Sequence, residues 1–382
     1  MQIKSKLGAV VMATGALTLS LGAGSALAAT HRAHDAWGRS NSPAVFVQSD
    51  ASTGNTVSVY AREQGGQLVA AGTYATGGDG GQLTGSVVDH LASQGSLQYD
   101  AAAHLLFAVN AGSNTVSLFN VRGTELQLRQ VIPSGGSFPV SITVHGGLVY
   151  VLNALSGGNV SGFYLDGQHL NPIPGSTRAL GLDPNATPQF VNTPGQVAFT
   201  PSGNDLLVST KNNTNAIDVF AVGRFGQLAA QPVINSEPGA VPFALAFEGD
   251  GQVAVAEAGL NAVATFKLNW DGTLTQTASV ATGQEATCWL AADGSVLFAG
   301  NAGSGSESTL LDTPGGLSLS ATTPTDAGTV DAAVTPDGRF LYVQTGAAGI
   351  VDEFQVGPGA ALTEVGSVTV PTAVGGEGIT TS

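Results

Sequence analysis

Three carboxylates stand immediately ahead of short apolar segments: Glu285 before Cys288-Trp289-Leu290, Asp331 before Ala332-Ala333-Val334, and Glu377 before Ile379. Carboxylates gathered in one place crowd one another, which raises some of their pKa values and suits them to take a proton from water. A second polar set closes apolar runs: Gln48, Asn110, Asn153, Thr210 with Lys211, Glu257, Asn301 and Gln344. Amides and acids at such ends could line a binding face, with Asn110, Asn153, Arg178, Glu257, Asn301, Asp331 and Gln344 holding a substrate. Glu285 or Glu377 would then activate water, and Lys211 or Arg178 would stabilise a developing oxyanion. Each assignment has a plainer counterpart. An Asn or Asp at a strand end is often a turn former bonding its own backbone, the acids could be solvated groups at a channel mouth, and either cation could pair with an acid.

Other chemistries find little support. His104, His145 and His169 fall near turns, His31 and His34 lie in the first stretch of the chain, and only His90 sits in a long connection. There is no metal-ligand spacing, no nucleophile elbow with triad partners and no phosphate loop, so neither a metal nor a cofactor is expected. Cys288, the one cysteine, lies among Ala286, Thr287, Trp289 and Leu290 and reads as a small buried hydrophobe.

What positions these residues is a repeat. Leu105–Asn110 followed by Thr115–Phe119 has the same grammar as Leu148–Asn153 with Val160–Phe163, Leu206–Thr210 with Ala216–Phe220, and Val253–Glu257 with Ala262–Phe266. Phe340–Gln344 with Ile350–Phe354, Val296–Asn301, and Ala44–Gln48 with Thr56–Tyr60 supply the remaining copies. A short strand precedes each run except the first, anchored at Leu97, Ile142, Val197, Leu245, Cys288 and Ala332. A fourth strand follows a glycine turn, as at Gly65-Gly66-Gln67-Leu68 and Asp271-Gly272-Thr273-Leu274. The spacing of these anchors is the length of a four-stranded propeller blade. The first copy lacks its innermost strand, and Gly376–Thr380 at the far end has the character of the missing piece.

The expected architecture is therefore an all-β, seven-bladed β-propeller spanning 43–382 as a single domain, its ring closed by the C-terminal strand. The starts of the first strands and the ends of the second strands then share one face, here called the top. The connections 79–93 and 181–192 also reach that face. The second strands are nearly all apolar because neighbouring blades bury both of their faces, whereas Thr115-Val116-Ser117-Leu118 predicts half-buried, alternating third strands.

Composition narrows the functions. The chain of 382 residues has 53 glycines, only 10% charged residues and a net charge of −15. That acidity opposes nucleic acid, whose phosphates need a basic stripe. Lys4 and Lys6, the uncharged stretch from Leu7 to Leu21, and Ala26-Leu27-Ala28 predict a signal peptide over 1–28, cleaved near Ala28. A flexible leader over 29–42 would follow, and the mature chain would be a secreted or periplasmic monomer with no membrane span and with a small-molecule ligand such as a lactone or carbohydrate.

Gln94–Leu97, Val109–Ser117, Pro133–Gly136, Thr282–Trp289 and Asn301–Gly305 resemble the lactonase family of seven-bladed propellers, which includes 6-phosphogluconolactonase and 3-carboxymuconate cyclase. The resemblance covers about 43–380 and implies hydrolysis of a lactone or cyclic ester at the top of the axial channel. The family's histidine motif entering the fourth blade is replaced by Asn192-Thr193-Pro194-Gly195-Gln196, so its catalytic residues do not carry over there. A non-catalytic propeller binding a ligand or an envelope component across the same face is the alternative.

Overall fold

The second strand of each repeat explains the fold, because its two faces serve two different cores. In Ala44–Gln48, Val45 and Val47 pack with Phe340, Tyr342 and Ile379, while Ala44 and Phe46 pack with Leu97, Leu106 and Phe119. Leu105–Asn110 divides in the same way, with Leu106 and Ala108 on one side and Leu105, Phe107 and Val109 on the other. A strand between two sheets must be apolar at every position, and the period of two is then hidden by burial on both sides.

The computed structural model describes residues 43–382 apart from Gln168 and Asp250. The signal peptide and leader expected over 1–42 lie outside the described residues. Seven antiparallel sheets follow one another along the chain. Their innermost strands are Leu97–Asp100, Pro139–His145, Gln196–Phe199, Pro242–Phe247, Thr287–Asp293, Thr329–Val334 and, for the first blade, Ile379–Thr381. That last strand pairs antiparallel with Ala44–Gln48 in the register Val45↔Thr381, Phe46↔Thr380 and Val47↔Ile379. The chain end thus completes the first blade and closes the ring, so that Ala44–Gln48 is not left as the edge of its sheet. The third blade splits its outer strand into His169–Pro172 and Arg178–Ala179, both paired to Asn159–Asp166.

Adjacent blades are also tied at the bottom. The hydroxyl of Tyr342 in the seventh blade donates to Gly66 O at 2.7 Å in the first, and that of Tyr150 in the third donates to Gly226 O at 2.6 Å in the fourth. Gly66 has φ +93° and lies against the Phe340 ring, so the turn admits no side chain.

The third strands depart from expectation. Thr115–Arg122 is buried from Val116 through Val121, and the outermost strand Glu125–Pro133 is the one whose exposure varies along its length. Polar residues such as Ser58, Ser117, Ser308 and Glu307 are sealed between blades. Polar residue type in the third strand therefore marks burial between blades and not a solvent face.

Candidate functional site

The connection from the first blade to the second does not run along the rim. Residues 82–95 cross the axis and touch the inner parts of nearly every blade. Ser93 Oγ donates to Val140 O at 2.8 Å in the third blade, and Ile142 N donates to Gly95 O at 2.8 Å. Gln94 exchanges two hydrogen bonds with the backbone of Leu290 in the sixth blade, at 2.6 and 2.9 Å. Trp289 Nε1 donates to Ser93 O at 2.8 Å, and Val88 packs beside Trp289 and Val330. His90 N donates to Gly375 O at 2.7 Å, and the imidazole lies against Gly375, whose φ of +76° and lack of Cβ make room for it. The segment is a plug in the channel.

A cluster of ionisable groups lies against the plug. Glu377 is fully buried; its Oε1 accepts from Gly95 N at 2.8 Å, and Ser93 Oγ lies 3.4 Å from Oε2. Its backbone N–H donates to Asp50 Oδ2 at 2.8 Å, and Asp50 Oδ1 accepts from Gln48 Nε2 at 2.6 Å. Asp331 accepts from Ile379 N at 3.2 Å, so an acid of the seventh blade helps to hold the closing strand. Asp89, on the plug, caps it with three bonds from Leu91, Ala92 and Ser93 N–H groups, each 2.8 Å. The single cation here is Lys211, whose Nζ donates to Ala92 O at 2.5 Å, Phe190 O at 2.7 Å and Thr193 Oγ1 at 3.2 Å, and stands 5.0 Å from the Phe243 ring.

Burial governs the protonation of this cluster. It pushes Asp50 and Asp331 up to about 7 and Asp89 up to about 6, with Lys211 pulling Asp89 back down. Glu377 is raised well above the carboxylate range by burial and then by Asp331, Asp89 and Asp50. Burial draws Lys211 down to about 7 against the opposing pull of Asp89. Glu307 in the sixth blade is also raised well above its ordinary value by burial and by Asp331, and neither of its carboxyl oxygens has a hydrogen-bond partner. Cys288 is buried near Lys211 and its thiol is pushed up to about 12, which leaves it inert.

The structure thus brings Glu377, Asp331 and Lys211 into one buried cluster and leaves the other expected site residues elsewhere. Glu285 is exposed on the turn into the sixth blade, its N–H donating to Ser304 Oγ at 2.8 Å. Asn110 is fully buried and spends its amide on Thr76, Asn55, Thr115 and Ser117. Asn301 is bonded to Thr287, Ser306 and Ser308, and Asn153 to Asn159 at 3.0 Å and Ser134 O at 3.4 Å. Gln344 donates to Gln48 O at 3.3 Å, and Glu257 is buried with Ser279 Oγ at 3.3 Å. Arg178 gives its guanidinium to the backbone oxygens of Gly175, Thr177, Leu228 and Ala229, stitching the third blade to the fourth.

Asp50, Asp89 and Glu307 are members of the cluster that sequence reasoning did not single out as site residues. Asp89 and His90 were visible as polar residues of a long connection. Glu307 carried one signal, an acid inside a strand flanked by serines. Among the described residues no group of three or more His, Cys, Asp or Glu side chains is arranged to hold a metal ion. A polar recess on the top face, lined in part by Ser156, Asp183, Gln189, Asn192 and Thr193, adjoins the plug where Thr84 N donates to Gln189 Oε1 at 2.8 Å.

Comparison with known proteins gives the same architecture. A candidate 6-phosphogluconolactonase from Bacteroides uniformis superposes with a TM-score of 0.73 at 18% identity, covering 90% of this chain and 100% of that one. The periplasmic gluconolactonase of Pseudomonas aeruginosa superposes with a TM-score of 0.71 at 17% identity, covering 89% and 98%. No curated protein matches the sequence. The profile described as "Lactonase, 7-bladed beta-propeller" matches residues 57–375, most of the chain, and the protein therefore belongs to the lactonase family of seven-bladed β-propellers.

Proposed function

We propose that this chain is an exported hydrolase of unphosphorylated lactones or related cyclic esters, acting on the top face of the propeller. Family membership over residues 57–375 carries the reaction class. The restriction to unphosphorylated substrates comes from the two cations expected on the top face. Lys211 gives its ammonium to Ala92 O, Phe190 O and Thr193 Oγ1, and Arg178 is bound up with backbone carbonyls, so neither is offered to a phosphate. Export is supported by the charge pattern of the first 28 residues.

In the reaction a water oxygen bonds to the lactone carbonyl carbon, the ring C–O bond breaks, and the ring oxygen leaves as an alcohol after taking up the proton given by water. Glu377, sealed and holding its own proton, is not placed to accept it. His90 is better suited. It is half-buried on the top segment, and burial lowers its pKa, so it is the neutral base at neutral pH. Glu285 is an exposed acid on the same face, as is Asp183.

A pH-stat comparison of glucono-δ-lactone, simple γ-lactones and 6-phosphogluconolactone tests the proposal. Turnover of the unphosphorylated compounds well above that of the phosphorylated one is expected. Preference for the phosphorylated compound would refute the substrate class, and the absence of any turnover would refute the hydrolase. In that last case the second reading takes over, a propeller that binds a ligand without changing it. The plug across the axis and the internally bonded amides favour that reading.

A further inference from the structure

The plug is held by an unusual set of partners. A segment meant only to fill a channel would be apolar and packed. This one is anchored by polar bonds into a buried cluster with five acids and one cation. The acids come from three neighbouring blades and the plug: Asp50 follows the second strand of the first blade, Glu377 precedes the closing strand, Asp331 lies on the inner strand of the seventh blade, Glu307 lies on the third strand of the sixth, and Asp89 is on the plug itself. Lys211 comes from the fourth blade, with Cys288 of the sixth near it and His90 at the outer side of the plug. Glu307 has no hydrogen-bond partner at either oxygen, so the Asp331 side of the cluster already has a carboxyl that only a proton keeps neutral.

We propose that residues 82–95 form a gate over the propeller axis, released when negative charge accumulates on the carboxyl cluster and its one counter-charge is lost. The sign follows from the groups in contact. Below pH 6 the cluster contains Lys211 as a cation and its acids are mostly protonated, so the plug sits over a cluster that is neutral or carries one positive charge. Above pH 7 Asp50 and Asp331 ionise, Asp89 is already an anion, and Lys211 gives up its proton. Three carboxylates then face one another in a medium of low polarity, and one of them is on the movable segment. Moving the plug outward admits water to all of them. It breaks the bonds of Gly95 to Glu377, Ala92 to Lys211 and Ser93 to Trp289, while the seven sheets, whose pairings involve none of residues 82–95, stay intact.

Trp289 reports the gate directly, since its indole N–H donates to the plug. In a Trp37→Phe/Trp270→Phe background of the purified full chain, acrylamide quenching is measured from pH 5 to 9, with far-UV circular dichroism recorded on the same samples. Shielded fluorescence at pH 5–6 is expected, with a quenching constant at least threefold higher by pH 9 and unchanged secondary structure. Asp50→Asn and Asp331→Asn, each removing one of the charges that form above pH 7, are expected to move the midpoint upward. Hydrogen exchange corrected for its intrinsic pH dependence should localise the change to 82–95. Quenching that stays flat in the parent protein would overturn the proposal. So would a rise that tracks loss of circular dichroism, or a midpoint unmoved in whichever of the two variants folds.

Discussion

Most proteins lose stability in acid because paired carboxylates must be protonated; this one should lose stability as the pH rises from 4 to 7. Asp50 illustrates the size of the effect. Its pKa is about 7 in the folded chain against 3.8 as the ordinary value, because burial outweighs its bonds from Glu377 N–H and Gln48. A folded pKa above the unfolded one means that the folded state binds the extra proton. The contribution is complete below pH 4 and is lost as pH climbs through 7. The difference between 3.8 and about 7 corresponds to roughly 4 kcal/mol, at about 1.4 kcal/mol for each tenfold change in proton affinity. Asp331 carries a similar shift in the same direction, and the two are not additive because they share the cluster with Glu377. Lys211 does not mask the trend, since it is protonated in both states over most of this window; its opposite contribution begins near pH 7. Urea unfolding at pH 4.5, 5.5 and 6.5 should show stability falling by several kcal/mol, with Asp50→Asn flattening the slope. A stability that rises over this interval in the parent chain would refute the reasoning.

Three further outcomes follow from the packing. Deleting residues 379–382 removes the pairing to Val45–Val47 and a buried Ile379, and should cost about 5 kcal/mol or more from lost burial and ladder bonds, read as a lowered melting temperature. Tyr342→Phe strips Gly66 O of its buried donor and should cost about 1–2 kcal/mol by urea unfolding, as should Tyr150→Phe at Gly226 O. Gly375→Ala places a methyl group against the His90 imidazole at a φ of +76°, and should cost about 1–3 kcal/mol by the same assay.

The architecture was legible because a propeller writes its period into the chain. The unbroken apolar runs, the recurrent polar residue at their ends and the missing first strand of the opening copy all have one physical cause, the stacking of sheets against sheets. Ile379 could be assigned to the first blade because Ala44–Gln48 lacked an inner neighbour. The site was less legible. Asn110 and Asn301 are the right type of residue for a binding ring, yet each is consumed by hydroxyls of its own and neighbouring strands, and spacing along the chain does not reveal where a side-chain amide finds its partners. Glu285 and Glu377 precede equivalent strands, but one is exposed and the other fully buried, because the plug passes over the latter. A segment crossing the axis leaves no periodic mark, so the company of Asp89 with Lys211 and Glu377 is a tertiary fact. The alternation of Thr115–Leu118 misled for a related reason: serines in a buried strand look like a solvent face until their bonds are known.

The assignment of chemistry to the mouth of the propeller, outside the sealed cluster, is tested most directly by comparing kcat for glucono-δ-lactone in His90→Asn, Glu285→Gln and Glu377→Gln at pH 7. A loss of about 100-fold or more is expected for His90→Asn, the size of a general base, with Glu377→Gln within a few-fold of the parent. Full activity in His90→Asn together with collapse in a folded Glu377→Gln would place the reacting water at the axis and contradict the account.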